Sequence, residues 1–323
     1  MSERLKVIYD TDPGVDDAMA LLLLARHPRI DLIGVTAVFG NASIDTTTRN
    51  ALFLKQRFGF AAPVARGAGA PFAGSASEPP TFVHGHNGLG DIPLPAITAS
   101  ADPRPAAQLI VDLVRANPGE VTIIAVGRMT NLALAMRLDP SIVPLVKRVV
   151  VMGGAFGRNG HTGNVTPVAE ANIIGDPVAG DIVFGAGWPL AIAGLDVTQQ
   201  TNMSDAYLKD LAGSAGDDGK FLWDVSRFYE NFYRSTGQTH GGFPVHDSSA
   251  VALALHPEMF VTESGAVRVV TEGIAIGQTI LRPDKRFDHA RDWQDRPSVE
   301  VAVSVDAPAF LAFYRDTVLG RAR

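Results

Sequence analysis

The sequence predicts an α/β protein with a single open, mostly parallel sheet flanked by helices. Three observations predict it. Short apolar runs alternate with helix-patterned segments through the first 200 residues, as repeated βαβ units require. Those runs are nearly continuously apolar, as strands covered on both faces are. The 323 residues, 46% hydrophobic and 19% charged, contain no internal repeat and no low-complexity linker, so one domain over residues 1–323 is expected rather than two.

In chain order, the strand "KVIY" (6–9) leads into the helix "DDAMALLLLARH" (16–27), and "DLIGVTAVF" (31–39) leads into "SIDTTTRNALFLKQRF" (43–58). The helix "PRPAAQLIVDLVRAN" (103–117) precedes the strand "EVTIIAV" (120–126), which feeds "TNLALAMRL" (130–138). "KRVVVMGG" (147–154) and "PLAIAGL" (189–195) are further buried strands. "AVRVVT" and "SVEVAVSV" alternate more nearly with period two, and "APAFLAFYRDTVL" reads as a terminal helix. Two stretches rich in Gly, at 66–95 and 213–245, read as lid-like loops, the second enclosing the aromatic helical piece "FLWDVSRFYENFYR".

The net charge of −6 and the scattered basic residues argue against nucleic acid as a partner. With no cysteine, a thiol nucleophile, thiolate zinc and iron–sulfur clusters are excluded. The longest apolar run, "AMALLLLA", is too short to cross a bilayer, so no membrane role is expected. The opening residues lack the pattern of a secretory leader, so a cytoplasmic location is the expectation.

In an open parallel sheet, ligands bind at the carboxyl ends of the strands. The first strand ends in "DTDPGVDD", which places Asp10, Asp12, Asp16 and Asp17 together between apolar flanks. One acid at Asp16 would do no more than complement a helix dipole, worth under about 1 kcal/mol. Four such acids need something positive among them. Later strand ends add Asn41, then Thr130 and Asn131, then Asn164, Glu170, Asn172 and Asp176, and finally His246 with Asp247. Each is an ordinary helix cap when taken alone. Thr130 is as readily the cap of its helix as a ligand, and Asp176 before Pro177 reads as a turn or cap. Their recurrence at successive strand ends points to a site. Carboxylate, amide and carbonyl oxygens suit Ca²⁺ or Mg²⁺, and the spacing is not that of an EF-hand.

These residues resemble the nucleoside hydrolase family, the inosine–uridine-preferring type and its relatives. "DTDPGVDDAMAL" is similar to its N-terminal signature, and further matches follow in order: "VFGN" (38–41), "HGHNGLG" (84–90), "GRMTNLALA" (127–135), "VVMGGAF" (150–156), "GNVTPVAEANI" (163–173) and "VHDSSA" (245–250). The resemblance implies one α/β domain that hydrolyses the N-glycosidic bond of ribonucleosides, with one calcium ion per subunit and a homodimeric or homotetrameric assembly. It implies Asp12 as general base and calcium ligand, Asp17 and Asp247 as further ligands, and Thr130 as a ligand through its carbonyl. It places Asp16, Asn41, Met152, Asn164, Glu170 and Asn172 around the ribose, with Asp10 orienting the loop behind them. His246 is implied in activating the leaving group, and His84 in contacting the base.

The chemistry suits these residue types. Glycosidic cleavage passes through an oxocarbenium-like transition state, with a base accepting a water proton and a donor assisting the leaving group. Histidine is the obvious donor near neutral pH. Two departures from the family pattern stand out. "GRMTN" replaces a Gly-Pro-Leu-Thr-Asn run, and Ala171 stands where a bulky aromatic is common. Tyr229, Tyr233, Gln238 and His240 are the second lid's candidates for touching the base, the two tyrosines being as readily helix core. Two other readings are an Asp-based, Mg²⁺-dependent phosphohydrolase and a non-catalytic nucleoside or ribose sensor. The first lacks a lysine and Ser/Thr phosphate grip among the matched segments. The retained Asp12 and His246 argue against the second.

Overall fold

The computed structural model describes residues 4–237, 241–284 and 286–322. In chain order these form β1 (Leu5–Thr11), α1 (Val15–Arg26), β2 (Ile30–Ala37), α2 (Ile44–Phe58), β3 (Val64–Arg66), α3 (Thr81–His84), α4 (Ala106–Ala116), β4 (Val121–Ala125), α5 (Thr130–Leu138) and β5 (Arg148–Met152). There follow α6 (Ala171–Gly175), α7 (Pro177–Phe184), β6 (Leu190–Ala193), α8 (Leu195–Thr198), β7 (Asn202–Met203), α9 (Asp205–Ser214), α10 (Gly216–Thr236), β8 (Phe243–Pro244), α11 (His246–Leu255), β9 (Phe260–Val269), β10 (Thr279–Arg282), β11 (Ser298–Val305) and α12 (Ala307–Val318).

Nine strands make one open sheet in the order β10-β9-β11-β6-β5-β4-β1-β2-β3, and β7 pairs with β8 apart from it. From β3 across to β11 every pairing is parallel; β9 and β10 add an antiparallel edge. Successive side chains of β1 point to opposite faces. Accordingly Val7 and Tyr9 enter the apolar layer with α1, α10 and α11, while Ile8 enters the layer with α4, α5 and α7. Residues Val15 to Leu24 of α1 are all buried, which explains a helix with no polar face. It packs against α10, α11 and α12.

β1 pairs with β2 on one side and β4 on the other, so the strand order reverses there. The carboxyl ends of β1 and β4 therefore flank the crevice where open α/β sheets bind ligands. The segment 213–245, expected as a loop around a helical piece, is mostly one 21-residue helix, α10. Its Gly216, Asp217 and Asp218 form the helix's first turn, with Asp218 held by Arg26 at 2.5 Å. Gln238 and His240 lie outside the described residues.

Candidate active site

The loop leaving β1 is built around Asp17. Its Oδ1 accepts from Thr11 Oγ1 (2.5 Å) and the Asp12 N–H (3.2 Å), and its Oδ2 accepts from the Gly14 N–H and Asn41 Nδ2, both at 2.9 Å. Four donors thus fold the loop so that its acids face inward. Carboxylate oxygens of Asp16, Asp17 and Asp247 lie within 4.8 Å of one another, and all three residues are buried. Burial first, then repulsion from Asp17, raises the proton affinity of Asp16. Burial, then Asp16, Asp17 and Asp12, does the same for Asp247. Asp12 stands beside this trio and is raised by burial and by Asp17, with Arg128 acting in the opposite direction. Asp12 Oδ1 and Asp16 Oδ1 are buried without a hydrogen-bond partner among the described residues. Crowded, desolvated carboxylates with spare lone pairs are what an all-oxygen divalent cation site provides.

The structure supplies one positive group that the sequence reading did not single out. Arg128, at the end of β4, forms a buried ion pair with Asp12 through Nη1 and Oδ2. The same Oδ2 accepts the Asn41 N–H at 2.8 Å. Gly40 makes this approach possible, because a Cβ there would stand 1.9 Å from both Arg128 Nη1 and Asp12 Oδ2. Asn131 ties the floor together: its Nδ2 donates to Asp10 Oδ1 (2.8 Å) and the Ala37 carbonyl (3.0 Å), while its Oδ1 accepts from the Ala68 N–H (2.9 Å). Asp10 also accepts from Thr36 at 2.5 Å, and burial pushes its carboxyl up to about 7.

Met129, not Thr130, occupies the cap position of α5. Thr130 begins the helix and donates its hydroxyl to Asp176 at 2.7 Å. Asp176 is the cap of α7, accepting from the Ala179 N–H, and it also accepts from the Phe72 N–H in the first lid segment, both at 3.1 Å. Glu170 is more constrained than its expected place beside the ribose suggests. Its carboxylate accepts the N–H groups of Asn172 (2.9 Å), Gly154 (2.9 Å) and Ile173 (3.1 Å). A carboxylate has about four lone-pair positions, so one remains. Asn172 Nδ2 bridges the carbonyls of Val126 and Met152 at 2.6 and 3.2 Å, joining the ends of β4 and β5. Met152 is buried, whereas Asn164 is exposed, its Oδ1 accepting the Ala171 N–H at 3.1 Å.

On the other side of the pocket, α10 faces α11. Tyr229 and Tyr233, one turn apart, are both buried, so they are core residues as well as polar ones. Their hydroxyls lie 3.4 Å apart, the Tyr233 hydroxyl lies 2.9 Å from His246 Nε2, and His246 Nδ1 lies 2.7 Å from Thr198 Oγ1. His84 stacks near Tyr229, and its Nδ1 accepts the Val15 N–H at 3.2 Å, leaving the proton on Nε2. Burial pulls His246 down to about 4 and, aided by Arg128 and His246, His84 down to about 3. Both rings are therefore neutral at pH 7. Burial thus disfavours the imidazolium at both rings, and the hydrogen-bonded chain offers a path for a proton.

The family model for inosine-uridine preferring nucleoside hydrolases matches residues 7–312. The chain belongs to that family. It is 41% identical over 318 residues to the probable uridine nucleosidase 1 of Oryza sativa subsp. japonica, covering 98% of this chain and 97% of that protein. A plant nucleoside hydrolase structure superposes with a TM-score of 0.93 at 36% identity, covering 98% of this chain and 99% of its own. The purine-preferring ribonucleoside hydrolase of Gardnerella vaginalis superposes with a TM-score of 0.89 at 34% identity, covering 98% and 99%.

This nucleoside hydrolase brings Asp10, Asp12, Asp16, Asp17, Asn41, His84, Thr130, Glu170, Asn172, Tyr229, Tyr233, His246 and Asp247 into the buried or half-buried surroundings of one crevice. Sequence reasoning missed two groups. The signal for Arg128 was its place in "GRMTN", where an arginine replaces a proline at a strand end. Thr198, in "GLDVT", carried no signal beyond lying after a strand. Asp196 in the same stretch proves structural, accepting the N–H groups of Phe156 (2.9 Å) and Arg158 (2.6 Å).

Proposed function

We propose that this nucleoside hydrolase cleaves the N-glycosidic bond of ribonucleosides to ribose and free base, with a divalent cation, calcium, in the acid pocket. The observation that carries the reading is the juxtaposition of two devices in one crevice: the Asp16, Asp17 and Asp247 oxygens within 4.8 Å, and the Tyr233–His246 hydrogen bond across from them. Asp17 and Asp247 would hold the cation together with the Thr130 carbonyl, with Asp16 and Asp12 alongside. When bound, the cation supplies positive charge that favours ionised carboxylates and polarises oxygen atoms near it.

The residues then divide the work. Asp12 Oδ1, with no partner among the described residues, accepts a proton from the attacking water as its oxygen bonds to the anomeric carbon. The electron pair of the breaking C–N bond leaves with the nucleobase, which takes up a proton handed along Tyr229, Tyr233 and His246; solvent replenishes that proton and receives the one gained by Asp12. Carboxylates around the ring favour the positive charge that develops on it. Asn41, Met152, Asn164, Glu170 and Asn172 would surround the ribose, and His84 would border the base. A single catalytic unit with residues 66–95 as its lid, a cytoplasmic location and a homodimeric or homotetrameric assembly complete the reading.

Uridine is the substrate to try first, since the Oryza relative carries that name. The test is reducing-sugar release from a ribonucleoside panel after EDTA treatment, with calcium or magnesium added back. Ribose release that EDTA abolishes and calcium restores would support the reading. Phosphate release from a phosphoester, or binding without turnover, would replace it.

A further inference from the structure

Arg128 is built into the pocket with donors to spare. A guanidinium carries five N–H groups. Among the described residues its one hydrogen-bond partner is Asp12, and its Nε is buried with none. The side chain is only 7% exposed. It is also closely fitted: a Cβ on Gly175 would stand 2.5 Å from Nε, and the guanidinium sits 5.8 Å from the Phe39 ring centroid. Neutralising Asp12 requires only charge, which a lysine supplies. A rigid fork with unmet donors suits recognition of ligand oxygens, and leaving such donors unsatisfied is costly.

The surroundings say which oxygens. Arg128 lies among Asp12, the Gly40–Asn41 turn and the end of α6, and its charge reaches Glu170. Of these, Asn41 and Glu170 are assigned above to the sugar, and Asp12 to the water that attacks it. The tyrosine–histidine chain assigned to the base runs along α10 and α11. We infer that Arg128 binds substrate, donating a hydrogen bond to a ribose hydroxyl oxygen and thereby favouring ribonucleosides over deoxynucleosides. This rests on the nucleoside-hydrolysis reading.

The test compares the wild type with Arg128→Lys and Arg128→Met on uridine and on 2′-, 3′- and 5′-deoxyuridine, in calcium, after thermal melting shows that each variant is folded. Loss of support for Asp12 lowers kcat/KM on all four substrates alike. Loss of the sugar contact lowers the preference for uridine over one particular deoxyuridine, on the order of 10- to 100-fold, the range for a hydrogen bond from a charged donor. Both variants are expected to show that selective loss, the lysine variant with less of the uniform one. Unchanged ratios against all three deoxyuridines would overturn the inference. Should the methionine variant fail to fold, the lysine variant carries the comparison. Should the wild type cleave no nucleoside, the hydrolysis reading fails by itself. Calorimetry with D-ribose then still judges Arg128: binding weakened about tenfold or more by Arg128→Lys supports the sugar contact, and unchanged or absent binding overturns it.

Discussion

Replacing Tyr233 by Phe removes a single oxygen from the chain that joins α10 to α11. His246 keeps Thr198 at 2.7 Å but loses its partner at 2.9 Å, leaving a buried ring nitrogen unpaired. That change costs on the order of 1–3 kcal/mol of stability, the range for a buried polar group left without its partner. The effect on rate is separable. With burial pulling His246 down to about 4, the imidazolium is the minor form at pH 7. Protonation of the leaving base therefore depends on the connected chain, and general acid assistance is worth about 10²- to 10⁴-fold. A nucleobase departing from uridine needs that proton; 4-nitrophenolate departing from a riboside does not. Steady-state kinetics on both substrates should show kcat on uridine falling at least about 100-fold, with the nitrophenyl riboside changing less than about threefold. His246→Ala should show the same split. Equal losses on the two substrates would refute the proton-relay argument and leave Tyr233 a packing residue.

Other expectations concern the acid pocket. Asp12→Ala should bring turnover on both substrates close to background, since its unpartnered Oδ1 serves either leaving group; substantial residual kcat would assign the base elsewhere. In EDTA, burial and then repulsion from Asp17 hold the proton affinity of Asp16 well above that of an unfolded carboxyl, so the folded state binds more protons above the ordinary carboxylate range and stability falls as pH rises through that window. A bound cation displaces those protons, so the calcium-induced rise in Tm should grow from pH 5 to pH 8; a rise independent of pH, followed by differential scanning fluorimetry, would contradict this. Asp10→Asn keeps an oxygen to accept from Thr36 and Asn131 and should cost under about 1 kcal/mol, whereas Asp10→Ala leaves both donors buried and should cost about 2 kcal/mol or more in urea unfolding.

The elements that were legible in the sequence are those whose burial is extreme. β1, β4, β5 and β6 are continuous apolar runs because helices cover both faces, and α1 reads as apolar because other helices surround it. β3 was not legible, since three residues at a sheet edge leave no periodic signal. α10 was only partly so: its glycine-bearing first turn reads as loop until Arg26, far away in sequence, pins Asp218. The site shows the same division more sharply. Asp17, Glu170, Asp176 and Asp196 are all strand-end acids, and residue type alone cannot tell a cap from a ligand. Lone-pair occupancy separates only some of them, since Asp17, assigned to the cation, already accepts from four donors. Glu170 has three of about four engaged, while Asp12 and Asp16 each keep a buried oxygen with no partner among the described residues.

That difference also bears on the charge problem posed by the first strand end. Asp12, Asp16, Asp17 and Asp247 bring four carboxylates into a space from which water is largely excluded, and Arg128 returns one positive charge. With every carboxylate ionised, four against one leaves three negative charges uncompensated. Two remedies exist, protons or a cation, and burial with mutual repulsion raises the proton affinity of Asp12, Asp16 and Asp247 in the direction of the first. A protonated Asp12 cannot accept a proton from water. The arginine secures one oxygen of Asp12; on the proposed reading, a divalent ion would keep the other basic. An enzyme arranged this way should lose activity on chelation even where its fold persists, because the deficit falls on the protonation state of the base before it falls on the architecture around it.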